Sequence, residues 1–123
     1  MWIFMNDAYF SIVHKDCAPD ELLVRARRKG DIERVFKVKS SDVTSVDHAD
    51  YQYRAVFLRT YVAARLSDYC IFDIKYPNFK NSVKDYALAR MYSHIWEIAG
   101  GAKRMMSLTK HMADAQEWWR RRK

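Results

Sequence analysis

Apolar and polar positions trade places in short runs over the first third of the chain and return at helical spacing over the last third. Trp2–Met5 is a brief apolar run, and Asn6-Asp7 is a turn pair that would close it. In Tyr9–Lys15, Phe10, Ile12 and His14 alternate with Tyr9, Ser11 and Val13, which predicts a second strand. Asp16–Asp20 is a turn with Pro19 in it, and Leu22–Arg28 reads as a third strand. The three together predict an antiparallel meander. On the third strand Leu22, Val24 and Ala26 share one face, while Leu23, Arg25, Arg27 and Lys29 share the other. Gly30 breaks this strand. Asp31 is placed to cap a short helix whose Ile32, Val35 and Phe36 form an apolar stripe.

Lys37–Asp50 is polar and predicts the longest surface loop. Tyr51–Leu58 returns to strand, with Tyr51, Tyr53, Ala55 and Phe57 on one face and Gln52, Arg54, Val56 and Leu58 on the other. Thr60 is a suitable N-cap for a helix to about Tyr69, with Val62, Leu66 and Tyr69 turned inward. In Cys70–Tyr76 the alternation of Phe72, Ile74 and Tyr76 with Asp73 and Lys75 favours a strand. After Pro77-Asn78, Ser82 and Asp85 have capping-box spacing ahead of a helix to about Ala99. Its stripe would be Val83, Ala87, Met91, Ile95 and Ile98. Gly100-Gly101 is expected to end it and Ala102 to begin a last helix along Met105, Leu108, Met112, Ala115 and Trp119. These elements predict an α+β fold: a mainly antiparallel sheet with helices on one face, in a ferredoxin-like arrangement, plus a C-terminal helical pair. The expected division is an α+β domain over residues 1–99 and a basic helix and tail over 100–123.

Composition adds a charge map. Of 123 residues half are hydrophobic and 15% aromatic, too many for a disordered chain, and the formal charge is +7. Residues 1–99 hold fifteen cations against thirteen acids, whereas residues 100–123 hold seven against two. That asymmetry suggests a polyanionic partner. Two cysteines, Cys17 and Cys70, do not make a disulfide framework and read as reduced, buried thiols. The start lacks the basic region and apolar run of a signal peptide, and no apolar run reaches membrane-spanning length. A cytoplasmic protein with no membrane contact is expected.

Three stretches carry a resemblance: MWIFMNDAYFSIV, LLVRARRKGDIERVF, and YPNFKNSVKD with the aromatic helix after it. Together they resemble a family of small bacterial and prophage-type proteins to which no activity attaches. The segment after Gly101 lies outside that pattern. The resemblance implies no site residues; it implies a mobile-element context, in which inhibitors of host defence are encoded.

Candidate chemistry is cationic and not catalytic. Arg25, Arg27 and Lys29, joined by Arg54 if its strand pairs alongside, would make a basic sheet face. Arginine suits phosphate because its planar fork donates two hydrogen bonds at once, and neighbouring Tyr and Phe could stack on bases. The plain counterpart is a solvated outer strand whose charges blunt edge pairing. A second set comprises Lys103, Arg104, Lys110, Trp118, Arg120, Arg121 and Arg122, with Lys123. Cations there also suit the helix dipole, and Trp119, on the apolar stripe, is expected in the core while Trp118 is left for contact.

His14 and Cys17 have H-x-x-C spacing, too little for a zinc site, so no metal or cofactor is expected. His48 between Asp47 and Asp50 is a loop histidine more often solvated than catalytic. In Tyr76–Asn81, Phe79 is expected to plug the core, and Asn78 or Asn81 to bond backbone. The expected function is a non-enzymatic binding module. Its partner would be nucleic acid or the nucleic-acid groove of a ribonucleoprotein, as an anti-CRISPR-like inhibitor would engage. Two alternatives are a small toxin-type ribonuclease and a structural protein that dimerises through its C-terminal helices.

Overall fold

The structure, a computed structural model, describes the backbone of residues 1–106 and 117–122 and the side chains of residues 1–101 and 117–122. The chain forms two compact units, Met1–Ser82 and Val83–Lys123. The first is an α+β layer. Strands β1 (Trp2–Phe4), β2 (Tyr9–Val13) and β3 (Glu21–Ala26) form the predicted meander. Helix α1 (Asp31–Phe36) follows, then a 3-10 turn, Ser40–Asp42, and a two-residue strand β4 (Thr44–Ser45) within the segment expected to be loop. Strand β5 (Tyr53–Leu58) runs directly into α2 (Arg59–Asp68). The sheet order is β1-β2-β3-β5-β4, with every neighbouring pair antiparallel. A ferredoxin-like arrangement is also antiparallel but is built from two split β-α-β crossovers, whereas β1, β2 and β3 follow one another with no helix between them, so that finer expectation is corrected.

The core lies between the sheet and α1 and α2. Ile32, Val35 and Phe36 of α1 meet Phe10, Ile12, Val24, Ala26 and Ala55 of the sheet and Val62 of α2. Phe36 packs edge-on against Phe10, with ring centroids 5.4 Å apart, and stacks on Phe57 at 5.2 Å. The Tyr61 hydroxyl donates to the Phe36 carbonyl. Burying one such large apolar side chain stabilises a fold by about 1.5–3 kcal/mol.

Local departures from the sequence reading have identifiable causes. Gly30, at φ 90°, supplies the left-handed residue ahead of α1, and Asp31 does not cap. Its carboxylate instead accepts from Arg34 at 2.9 Å, with Arg28 4.0 Å away. Thr60 is not the cap of α2 either. The helix begins at Arg59, whose amide donates to the Asp20 carbonyl at 2.8 Å, so the β2–β3 turn satisfies an orphan helix donor. The expected strand over Cys70–Tyr76 is instead a π-helical turn, Tyr69–Asp73, closed by the Ile74 amide on the Tyr69 carbonyl. Among the described residues the segment after it joins no strand of the sheet. Ile71, Phe72 and Ile74 are exposed there. Asn78 caps a one-turn helix α3 (Phe79–Ser82) by accepting from the Asn81 amide at 3.2 Å, and Phe79, half-buried, packs beside Tyr76 and does not plug the core.

In the second unit α4 spans Tyr86–Met106. Asp85 is its cap, accepting from the Leu88 amide at 2.9 Å, so the expected Ser82–Asp85 box is displaced by three residues. The buried stripe turns accordingly: Leu88 and Tyr92 are buried, Val83 precedes the helix, and Ala87 and Ile98 are exposed. The helix continues through Gly100-Gly101 instead of stopping. Neither glycine takes a positive φ, and about 1 kcal/mol lost at each does not break a helix of this length. The expected second helix from Ala102 is therefore, as far as Met106, the end of α4; Leu108, Met112 and Ala115 lie outside the described residues. Residues 117–122 are helical. Among the described residues no helix is long and apolar enough to cross a membrane.

Candidate functional site

The strand registers align one row of residues across the whole sheet. Trp2 pairs with Ser11, Ser11 with Arg25, Arg25 with Arg54, and Arg54 with Thr44. Because α1 and α2 cover the alternate residues, this row lies on the face turned away from them. Arg25 and Arg54, predicted as neighbours only if their strands paired, are direct cross-strand partners. Like charges placed opposite each other cost stability unless something else holds them.

What holds them is Tyr51. The Arg25 guanidinium lies over its ring at 4.8 Å from the centroid and that of Arg27 at 4.6 Å. The Arg54 Nε donates to the Tyr51 carbonyl at 3.1 Å. One residue thus organises three arginines, two by cation–π attraction and one by a hydrogen bond. Arg25 is also drawn towards β2 by donating from Nη2 to the Ser11 hydroxyl at 2.7 Å, while its Nε is buried without an acceptor. Arg27 is the one of the three with an acid: its Nη2 donates to Asp50 Oδ1 at 3.0 Å and its Nε to the Asp50 carbonyl at 3.2 Å. Burial lowers the Arg27 pKa, but Tyr51 and Asp50 outweigh it and leave the value above the usual one. Among the described residues neither Arg25 nor Arg54 is paired with a carboxylate.

Aromatic and apolar side chains surround the cations on this face. Trp2 is 73% exposed and Phe4 36%, and the Phe4 and Tyr9 rings stack 6.2 Å apart. Val56 and Leu58 are exposed beyond Arg54. Leu23 and Ser11 are buried, so the expectation of Leu23 on a solvent-facing surface is corrected. Lys29 is corrected as well: β3 ends at Ala26, and Lys29 sits in the turn to α1, exposed and off the strand face.

Trp2 and Tyr51 are the residues that sequence reasoning missed. Unbroken alternation puts Tyr51 on the core face with Tyr53, but β5 begins only at Tyr53, and the bend before it turns the Tyr51 ring to the arginine side. Trp2 could have been found from the register of a β1–β2 hairpin, which sets it opposite Ser11.

The second predicted set belongs to the other unit. Arg120, Arg121 and Arg122 are exposed. Arg121 donates to Glu117 at 2.6 Å, and Arg122 lies over the Trp118 ring at 3.9 Å. Trp118 and Trp119 meet edge-to-face, and Trp119 is 62% exposed, against its expected place in the core. Lys110 and the side chains of Lys103 and Arg104 lie outside the described residues.

Other candidates do not assemble. His14 Nδ1 and Cys17 Sγ lie 3.6 Å apart, both near the Glu21 carbonyl, and among the described residues no three groups could hold a metal ion. Cys70 is exposed and Cys17 half-buried, contrary to the expected burial of both. Around His48, Asp47 accepts from Gln52 and Asp50 from Arg27. On the helical side a cavity of about 270 Å³ is lined by Asp7, Arg34, Lys37, Arg65, Tyr69 and Asp73. Its arginines are met by acids, Arg34 by Asp7 and Asp31, and Arg65 by Asp68. The chain matches no protein-family model, no curated protein and no solved structure.

Proposed function

We propose that this protein is a nucleic-acid-binding module that grips the phosphate backbone with Arg25, Arg27 and Arg54. The observation that carries the reading is the shared scaffold of these three: Tyr51 gathers their guanidinium groups on one sheet face, and two of them have no carboxylate partner among the described residues. Gathering like charges on a folded surface costs free energy. A polyanion would recover that cost, because each phosphate neutralised releases condensed counterions. Arg27 already spends Nε and Nη2 on Asp50 and Arg25 spends one Nη2 hydrogen on Ser11, so each has its remaining Nη donors, and Arg54 both of its Nη groups, to offer a phosphate.

The test is a titration of labelled oligonucleotides over a salt series. The expected affinity falls steeply with salt, and Arg25→Ala or Arg54→Ala reduces the log–log slope by about one phosphate each. Binding that is undetectable, or indifferent to salt and to both substitutions, defeats the reading. Recovery from lysate of a protein partner that survives nuclease treatment, with no oligonucleotide binding, would favour the inhibitor reading that the resemblance implies.

A further inference from the structure

Resting on the proposed function, the geometry points to an unpaired, single-stranded nucleic acid as the ligand, with one base stacked on Trp2 and its neighbouring phosphates at Arg25 and Arg54. Trp2, Ser11, Arg25, Arg54 and Thr44 form one continuous row over all five strands. Strands lie about 4.8 Å apart, which places Trp2 about 10 Å from Arg25 and about 14 Å from Arg54 along that row. From β1 to β5 the row therefore passes from an aromatic ring to two cations, in the order in which an extended strand presents a base and then its following phosphates.

Trp2 is the most exposed aromatic ring of this unit, at 73%, on an edge strand of the sheet. Core packing does not account for a tryptophan in that position. An indole can stack on any base whose face is free, whatever the sequence. In a duplex both faces of a base pair are already covered by its neighbours, so an indole on a sheet surface finds a face only where the strand is unpaired. The interior of the row agrees with this. Ser11 is buried and its hydroxyl is occupied by Arg25, so β2 contributes support and the contacts fall on either side of it, at Trp2 and at Arg25 with Arg54. The phosphodiester and base chemistry is common to RNA and DNA, and the row itself selects neither.

The experiment compares oligo-uridine, oligo-deoxythymidine and a mixed-sequence duplex of equal length by fluorescence anisotropy over the same salt series, using the full chain. Single strands are expected to bind about ten-fold or more tighter than duplex. Trp2→Ala should weaken single-strand binding by about ten-fold with the salt slope unchanged, and Trp2→Phe should restore most of it. Arg25→Ala and Arg54→Ala should lower the slope instead. Circular dichroism on each variant separates a lost contact from a lost fold. Equal binding of duplex and single strand, insensitive to Trp2→Ala but still sensitive to Arg25→Ala, overturns this inference and leaves the proposed function standing. No binding in any arm overturns both. The two single-stranded arms show whether the RNA or the DNA strand is preferred.

Discussion

At the scale of single residues, the chemistry depends on how charges are held. Asp31 is 1% exposed between Arg28 and Arg34. Burial raises its pKa, and hydrogen bonding to Arg34 with the charge of Arg28 only partly opposes this. A folded-state pKa above the unfolded one means that the native chain holds this proton more tightly. The stabilisation is complete below the ordinary carboxylate range and is lost as pH rises through the folded value. Asp31→Asn should therefore gain stability relative to the parent between acid and neutral pH, as urea midpoints at each pH would show. Tyr69 is pushed up to about 12, first by burial and then by the charge of Asp7, while its hydroxyl donates to Asn6 at 2.9 Å. The native chain again holds the proton longer, so stability should fall as pH climbs from about 10, the ordinary tyrosine value, towards 12. Tyr69→Phe should flatten that alkaline decline in a melt series. Neither environment was legible beforehand. Asp31 has the spacing of an N-cap, and only the glycine at φ 90° ahead of it makes it the first helical residue instead.

At the scale of elements, helix α4 shows what propensity decides. An added Cβ at Gly100 would meet nothing within 4 Å, and its backbone is helical. Gly100→Ala should accordingly stabilise the helix by about 0.5–1 kcal/mol, seen as a higher melting temperature with unchanged or increased helicity. The same change at Gly30, at φ 90°, should destabilise. The glycine pair has the signature of a stop, yet stopping requires a left-handed residue, and sequence does not reveal φ. Where period alone was needed the reading succeeded: the meander, the stripe Ile32–Val35–Phe36 and the inward Val62 are all in place. It failed where an element borrows from elsewhere, as α2 borrows the Asp20 carbonyl, and where one bend reverses a face, as before Tyr53.

For the whole molecule, stability and charge are both local matters. Phe36 joins three aromatic neighbours through one buried ring, directly to Phe10 and Phe57 and through Phe57 to Tyr61. Phe36→Ala should cost about 3–5 kcal/mol in denaturant unfolding, a large part of the 5–15 kcal/mol that a domain usually has. The α+β class was legible from the order of the elements, because antiparallel hairpins announce themselves by turns a few residues long. The sheet order was not, since nothing in residues 27–52 says that β5 will return beside β3 with β4 outside it. That order has a further outcome. The sheet is flanked by strands of three and two residues, β1 and β4. Such stubby margins leave too few open amides for a foreign strand to zip onto, so crowded copies of the chain have little template for fibre growth. A partner that works by adding a strand would find few open backbone groups at either rim.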